Sequence, residues 1–264
     1  MMASATYLYC IVHAQRAPRA GRAPKGLAGA TRPSLLEVDT SLWIVVAAVP
    51  LATYGPEPLE TALRDMSWVA DVAVAHEAVV EHFARQPDVT VIPMKLFTMF
   101  SSPERAVQET RSQRRGLKPV LMRIAGCEEW GVRMIRTIPA ASRRRAGAAA
   151  GAAPVKAGSG AAFLAAKKQA RDDARDAVRA AAVAADTVFE TLTAVARDAR
   201  RRTDAPEGTT SPPVLDAAFL VPIAGRARFR SAARRLAAGS TGAGTELTLT
   251  GPWPAYNFVH GEVG

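Results

Sequence analysis

The 264-residue chain has little cysteine and no apolar segment long enough to cross a membrane. Its longest apolar run, LWIVVAAV at residues 42–49, is far shorter than the roughly 18–20 residues of a transmembrane helix. The N-terminus lacks the basic stretch, apolar run and cleavage site of a signal peptide. The two cysteines, Cys10 and Cys127, lie far apart in apolar segments, which favours reduced thiols over a disulfide. We therefore expect a cytoplasmic protein that makes no contact with a membrane.

The motifs of common catalytic and metal sites are missing as well. The chain has no Gly-x-Ser-x-Gly, no Cys-x-x-Cys and no His-Glu-x-x-His. His76 and His82 are six residues apart on a predicted helix, and not at the four-residue spacing of a metal-binding pair. Glu77 and Glu81 could share one helix face, but such carboxylate pairs are common on exposed helices. The sequence predicts no enzymatic activity, no cofactor and no metal.

Basic residues outnumber acidic ones, 34 to 24, which gives a net charge of +10. Arginine supplies 28 of the 34, and its scatter along an alanine-rich chain fits a GC-rich genome as well as phosphate binding. A basic, ferredoxin-like nucleic-acid-binding module is therefore the alternative reading. That mode needs aromatic side chains on the central strands, on which bases stack. The candidate strands carry one, Phe219, which argues against RNA.

Residues 1–118 are predicted to form an α+β domain. Strands are expected at residues 6–13, 35–38, 42–49 and 89–93. Residues 14–33, rich in Pro, Gly and basic residues, predict a loop. Ser67 is the expected N-cap of a long helix that Pro87 stops, and Ser102 that of a second helix that ends at Gly116.

Residues 119–264 are predicted to form a second domain with an extended C-terminal tail. Its strands are expected at residues 119–126, 129–138, 214–223 and 245–251, and its helices at 161–202 and 225–239. This ββαβαβ order predicts a ferredoxin-like sandwich with one long helix. The Ala, Gly and Arg-rich segment 139–160 predicts a flexible, dispensable loop.

The tail GPWPAYNFV, residues 251–259, contains three of the chain's sixteen aromatic residues: Trp253, Tyr256 and Phe258. Two prolines flank Trp253, and because proline has a fixed φ and no N–H, this segment cannot be a central strand. We expect an extended strap that wedges Trp253 against the C-terminal domain or the domain junction. The alternative is an exposed tail that meets a partner directly.

Two blocks of sequence carry a family resemblance. The block at residues 68–107, WVADVAVAHEAVVEHFARQPDVTVIPMKLFTMFSSPERAV, resembles the helix, strand and turn of the gas vesicle GvpF/GvpL family. The tail, LTGPWPAYNFV, is similar to the near-terminal motif of that family, and CEEWGVRMI, which contains Trp130, resembles a third motif. The chain departs at Lys95, where the family usually has Arg, and at Leu96-Phe97, where it has Phe-Gly. If that glycine allows close backbone approach, Phe97 fills the space.

The resemblance implies two domains, the second ferredoxin-like, and an accessory role in gas vesicle formation. It implies binding to the small hydrophobic shell protein, contacts with other gas vesicle accessory proteins, and a cytoplasmic, vesicle-associated location; retention as a minor vesicle component stays open. Such a subunit needs a partner before assembly because exposed apolar patches aggregate. The structural or interaction candidates are His76, Glu77, Lys95, Phe97, Trp130, Trp253, Tyr256 and Phe258.

Overall fold

The computed structural model describes residues 3–137, 160–202, 212–240 and 244–259 and has a mixed α/β fold. The chain divides into two compact units. The first unit comprises Met1–Glu129 together with Pro252–Gly264, and the second comprises Trp130–Gly251. The sequence places a domain boundary after residue 118 and assigns the tail to the second domain, whereas the structural division falls at residue 129 and assigns the tail to the first unit.

The first unit is built on a five-stranded sheet in which β3, β1 and β4 are neighbours in that order. Its strands are β1 (Ser4–His13), β2 (Ser34–Asp39), β3 (Leu42–Pro50), β4 (Thr90–Pro93) and β5 (Met99–Phe100). Its helices in residues 51–124 are α1 (Leu51–Tyr54), α2 (Pro56–Ala62), α3 (Met66–Ala84), α4 (Pro103–Ser112) and α5 (Arg114–Ile124). Strand β2 pairs with β3, and β5 also pairs with β1; all of these pairs are antiparallel.

Strand β1 lies in the centre of this sheet and is buried on both faces, as its apolar sequence predicts. Every side chain from Tyr7 to Val12 is at most 2% exposed. A β-bulge shifts the pairing with β3 between Leu8 and Cys10. Helix α3 packs against one face of the sheet through residues such as Phe83, and α4 and α5 pack on the other. The two helical layers therefore enclose β1.

The predicted start of α4 is confirmed, whereas the helix ends at Ser112 and not at Gly116, and the N-cap of α3 differs from the predicted one by two residues. The Ser102 side chain accepts the Arg105 N–H at 3.2 Å, as expected of an N-cap. Helix α3 is capped by Asp65, and not by Ser67, because the carboxylate accepts the backbone N–H groups of Ser67 and Trp68 at 2.9 and 3.3 Å.

The strand predicted at residues 119–126 is wrong, since these residues lie largely in helix α5. The helix runs through Gly116 and Pro119, which the sequence interpretation took as boundaries. Its buried side chains, Leu117, Val120 and Ile124, recur at helical spacing. Burying this stripe outweighs the one hydrogen bond that proline cannot donate.

The loop at residues 14–33 is ordered and packs on the core of the first unit. Leu27 is 2% exposed, and its N–H donates to the Tyr9 hydroxyl at 3.1 Å. The Tyr54 hydroxyl donates to the Ala28 carbonyl at 3.1 Å. Gly26 has φ +75°, and a Cβ there would lie 2.4 Å from the Tyr9 hydroxyl. This turn therefore needs glycine both for its backbone angle and for space.

The described elements of the second unit follow the order β-α-β-β-α-β, and not the predicted ββαβαβ. Its elements are β6 (Cys127–Arg136), α6 (Gly160–Thr193), β7 (Asp198–Arg201), β8 (Leu215–Pro222), α7 (Arg226–Ser240) and β9 (Thr245–Trp253), with a 3₁₀ turn at Ile223–Gly225. The strands form a sheet in the order β7-β8-β6-β9. Two errors explain the difference. The first predicted strand is α5 of the first unit, and the long predicted helix stops at Thr193, after which β7 pairs antiparallel with β8.

An aromatic core holds the sheet of the second unit against its helices. Phe229 of α7 lies 5.5 Å from Phe219 and 6.2 Å from Trp130, measured between ring centroids. Val188 and Leu192 of α6 complete this cluster. The predicted loop at 139–160 lies outside the described residues, apart from Gly160, where α6 begins. In the described ranges no helix is both long enough and apolar enough to cross a membrane.

Candidate functional site

His76 lies at the centre of a buried polar cluster in the first unit. Helix α3 presents it to the β-bulge of β1, where the Tyr7 hydroxyl lies 2.9 Å from Nδ1 and the Tyr9 ring is 5.6 Å away. The side chain is 2% exposed. Burial lowers the pKa of His76 to about 4, opposed by a backbone group of Met94. The imidazole is therefore neutral at physiological pH.

The contact between Glu77 of α3 and Tyr256 links the tail to this cluster. Tyr256 begins a short helix, α8 (Tyr256–Val259), and its ring lies 6.5 Å from His76. Burial raises the pKa of Glu77, and the Tyr256 hydroxyl partly offsets this by hydrogen bonding to the carboxylate. The pairing is not optimal, because neither the Tyr256 hydroxyl nor Oε1 of Glu77 has a well-aligned partner among the described residues. Burial, followed by the charge of Glu77, raises the pKa of Tyr256. We call Tyr7, Tyr9, His76, Glu77 and Tyr256 the His76 cluster.

The tail is fixed to the first unit by further polar contacts. Glu129 is 3% exposed, and its carboxylate accepts the Asn257 N–H at 2.8 Å and the Asn257 side-chain amide. The Arg123 guanidinium donates to the Phe258 carbonyl. Phe258 itself is fully buried, and α8 packs against β4 and α5. A buried carboxylate that receives two N–H groups holds a short helix that could not persist alone.

Trp253 does not act as the wedge of this segment. It is 41% exposed at the end of β9, whereas Phe258 and Val259 are at most 1% exposed. The expected strap with Trp253 as its anchor is therefore wrong: the tail leaves an edge strand and continues into a helix. The restriction on proline is confirmed, because Pro252 lies on β9, at the edge of its sheet.

The turn that carries Lys95 and Phe97 is joined to the same cluster. The Thr98 N–H donates to the Lys95 carbonyl at 3.3 Å, which closes a four-residue turn. Phe97 is third in this turn and has φ +63°, a backbone angle that favours glycine. Its N–H donates to the Tyr7 hydroxyl at 3.3 Å, and its ring stacks on Trp68 at 5.9 Å and 5°. Lys95 is exposed.

The predicted candidates therefore fall into three groups. His76, Glu77 and Tyr256 lie together in the His76 cluster. Phe97 is linked to this cluster by its hydrogen bond to Tyr7, and Phe258 lies in the same short helix as Tyr256. Lys95 and Trp253 are at the surface of the first unit. Trp130 is a core residue of the second unit, 4% exposed, with the Arg230 guanidinium 5.8 Å from its ring centroid.

Sequence reasoning missed Tyr7, Tyr9, Arg123 and Glu129. The two tyrosines stand in a strand that is apolar on both faces, and a buried hydroxyl needs a partner. Glu129 stands in a largely buried strand, which likewise requires compensation of its charge. Polar residues within apolar strands could therefore have indicated these buried contacts.

The His76 cluster is a hydrogen-bonded network inside the first unit. Its hydroxyls and imidazole bond to one another and to the backbone, and the groups are withdrawn from solvent. Among the described residues, no group of three or more His, Cys, Asp and Glu could hold a metal ion. Cys10 and Cys127 form no disulfide with each other. The cluster couples the strand, helix, turn and tail of the first unit.

Comparison with known proteins gives a consistent result. Residues 5–260 match the family model described as "Gas vesicle synthesis protein GvpL/GvpF". The chain is 30% identical over 254 residues to gas vesicle protein L of Streptomyces sp. (strain CB03234), an alignment that covers 94% of this chain and 91% of that protein.

Two solved structures share the fold. The crystal structure of gas vesicle protein GvpF from Anabaena sp. PCC7120 matches with a TM-score of 0.64 at 14% identity, over 97% of this chain and 96% of that one. GvpF from Microcystis aeruginosa matches with a TM-score of 0.64 at 12% identity, over 97% of this chain and 99% of that one.

Proposed function

Because the chain belongs to the GvpL/GvpF family of gas vesicle synthesis proteins, we propose that it is an accessory protein that binds the small hydrophobic shell protein during vesicle assembly. The family match over residues 5–260 carries this proposal. It is supported by the His76 cluster, where the 68–107 block and the tail motif meet in one folded unit.

The physical reason for such a role is aggregation. A shell subunit with an apolar gas-facing surface must be shielded until it is incorporated, since exposed apolar patches associate without specificity. The first unit offers apolar side chains to a partner: Met66, Val74 and Met122 are 72%, 70% and 69% exposed. These side chains are candidates for contact with shell subunits or with other accessory proteins.

We propose in addition that the protein is not an enzyme and that it works in the cytoplasm at the growing vesicle. The neutral, buried imidazole and its tyrosine partners support a structural role for the most conspicuous polar cluster. The aromatic side chains of β6 and β8, Trp130 and Phe219, point into the core. Neither is available to stack on bases, so the described sheet does not favour nucleic acid binding.

We propose a ferredoxin-like topology for the second unit. Counted within the unit, its four strands lie in the order 2-3-1-4, and a helix follows the first and the third strand. This arrangement corresponds to the split β-α-β pattern.

Co-expression tests the proposed function. The shell protein is produced with the full chain, without it, and with an unrelated basic protein of similar size, and its soluble fraction and vesicle yield are measured. We expect more soluble shell protein and more vesicles with the full chain only. Equal solubility and yield in all three cultures would remove the basis for the proposal.

A further inference from the structure

A groove of about 850 Å³ opens on the first unit where α5 passes the ends of β1 and β3. Leu42, Leu117 and Leu121 give it an aliphatic lining. Met122, 69% exposed, stands on the same stretch of helix. Leu42 and Leu117 are themselves buried, so Leu121 and Met122 supply the accessible aliphatic surface, and the volume of the groove is in the range that specific ligands fill.

The rim of this groove is strongly basic. Arg111, Arg114, Arg115 and Lys118 line it, and Asp39 is the acidic side chain among its lining residues. Two of the cations hold the helices to β2: Arg111 donates twice to the Val38 carbonyl, at 3.2 and 2.9 Å, and Arg114 forms an ion pair with Asp39. Arg115 and Lys118 are exposed, and no ion pair of either is seen within the described residues. The groove therefore has a surplus of positive charge.

The free cations and the apolar end of the groove share one face of α5. Residues 115, 118 and 122 follow a spacing of three and four, which places their side chains in one row. The row spans about 10 Å, since each helical residue adds roughly 1.5 Å. That length corresponds to about two turns of a helix lying alongside. A partner with both carboxylates and apolar side chains on one face would satisfy all three.

We propose that this groove is the docking site for an acidic amphipathic segment of the shell protein. Apolar side chains of that segment cover Leu121 and Met122, and its carboxylates pair with Arg115 and Lys118. The proposal rests on the proposed function and adds the site and the chemistry of the partner. A polyphosphate chain would use the charges but not the apolar lining, and none of the described residues that line the groove is a Phe, Tyr or Trp on which bases could stack.

The test uses the full-length chain and two double variants of equal charge change. Arg115→Glu/Lys118→Glu reverses the charge of two cations of the groove. Arg228→Glu/Arg234→Glu reverses the charge of two exposed arginines of α7 in the second unit. Met122→Ser probes the apolar end alone. Arg111 and Arg114 are left intact because they hold the helices to β2. The probes are labelled peptides that tile the shell protein, the intact shell subunit and a single-stranded oligonucleotide, and binding is measured by anisotropy at two salt concentrations.

We expect the groove double variant to weaken binding of the most acidic amphipathic peptide and of the intact subunit at least tenfold and to reduce the salt dependence. Met122→Ser should weaken it measurably, and the α7 control should bind within about twofold of the natural chain. All variants should keep the natural melting temperature, because the replaced side chains are exposed.

The two levels of the proposal fail differently. Shell protein that binds the groove variant and the natural chain equally well overturns the groove and leaves the proposed function in place. A natural chain that binds no shell peptide and no intact subunit at low salt overturns both. Binding of the oligonucleotide alone, lost on reversing Arg115 and Lys118, assigns the groove to nucleic acid and overturns the proposal.

Discussion

Replacing Phe258 with alanine tests whether the tail belongs to the core of the first unit. The side chain is fully buried, and the segment packs against β4 and α5. Removing a buried phenylalanine costs roughly 3–5 kcal/mol from lost burial and the remaining cavity. Trp253→Ala is the matched control, because Trp253 is 41% exposed and lies five residues earlier. Its loss should cost about 1 kcal/mol, as at other partly exposed positions.

Amide hydrogen exchange separates the two units in this experiment. Phe258→Ala should speed exchange in peptides from β4 and α5 roughly 100-fold or more, since every 1.4 kcal/mol is a factor of ten. Peptides from β8, in the second unit, serve as the internal reference and should keep their natural rates. The reasoning fails if Trp253→Ala accelerates β4 and α5 as much as Phe258→Ala does. That result would show that Trp253 anchors the tail at least as firmly as Phe258, and that the burial of Phe258 does not determine the stability of the first unit.

Three further predictions concern the His76 cluster and the neighbouring turn that carries Phe97. Burial lowers the pKa of His76 to about 4, so the unfolded chain binds a proton that the folded chain does not. Urea unfolding should therefore show the free energy of unfolding of the first unit falling by up to about 3 kcal/mol as the pH is lowered from 6.5 to 4. An equally steep fall in His76→Gln would contradict this. Burial raises the pKa of Glu77, so its ionised form destabilises the fold, and Glu77→Gln should be more stable than the natural chain at pH 7. That gain should vanish below about pH 4.5, and a gain that persists there would exclude ionisation as its cause. Phe97→Gly removes the backbone strain of a positive φ, about 1–2 kcal/mol. It also removes the ring stacked on Trp68 and raises the conformational entropy of the unfolded chain, and both of these changes destabilise the fold. It should lower the melting temperature in the natural chain and not in a Trp68→Ala background, and equal effects in both would refute the coupling.

The sequence predicted elements well where burial is visible in the pattern. Strands β1 and β3 are apolar on both faces, and Ser102-Pro103 marks the start of α4 by local hydrogen bonding. Helix α5 was missed because Pro119 was weighted above the helical spacing of the buried residues around it. The tail motif was recognised, but its buried residue was not, since stiff prolines fix the path of the backbone and not the direction in which Trp253 points.

The candidate site was predictable only in part. His76 and Glu77 on α3 and Tyr256 in the tail were each singled out by motif, yet nothing in a single sequence states that they touch. Their meeting depends on the β-bulge in β1 and on the helix at the end of the chain, and both are tertiary features. The positive φ of Phe97 agrees with the departure from the family's glycine, which marked this turn as unusual.

The division of the chain also sets an order for its synthesis. Asn257, which binds Glu129, follows it by 128 residues, and the whole second unit lies between them. A ribosome therefore finishes the second unit while the first still has an uncovered site beside β4 and α5. Any chain that stops before residue 254 lacks the segment that closes this site. Helix α8 thus completes the core of the first unit only after the second unit has been synthesised, and a chain shortened before this helix leaves apolar surface of β4 and α5 uncovered.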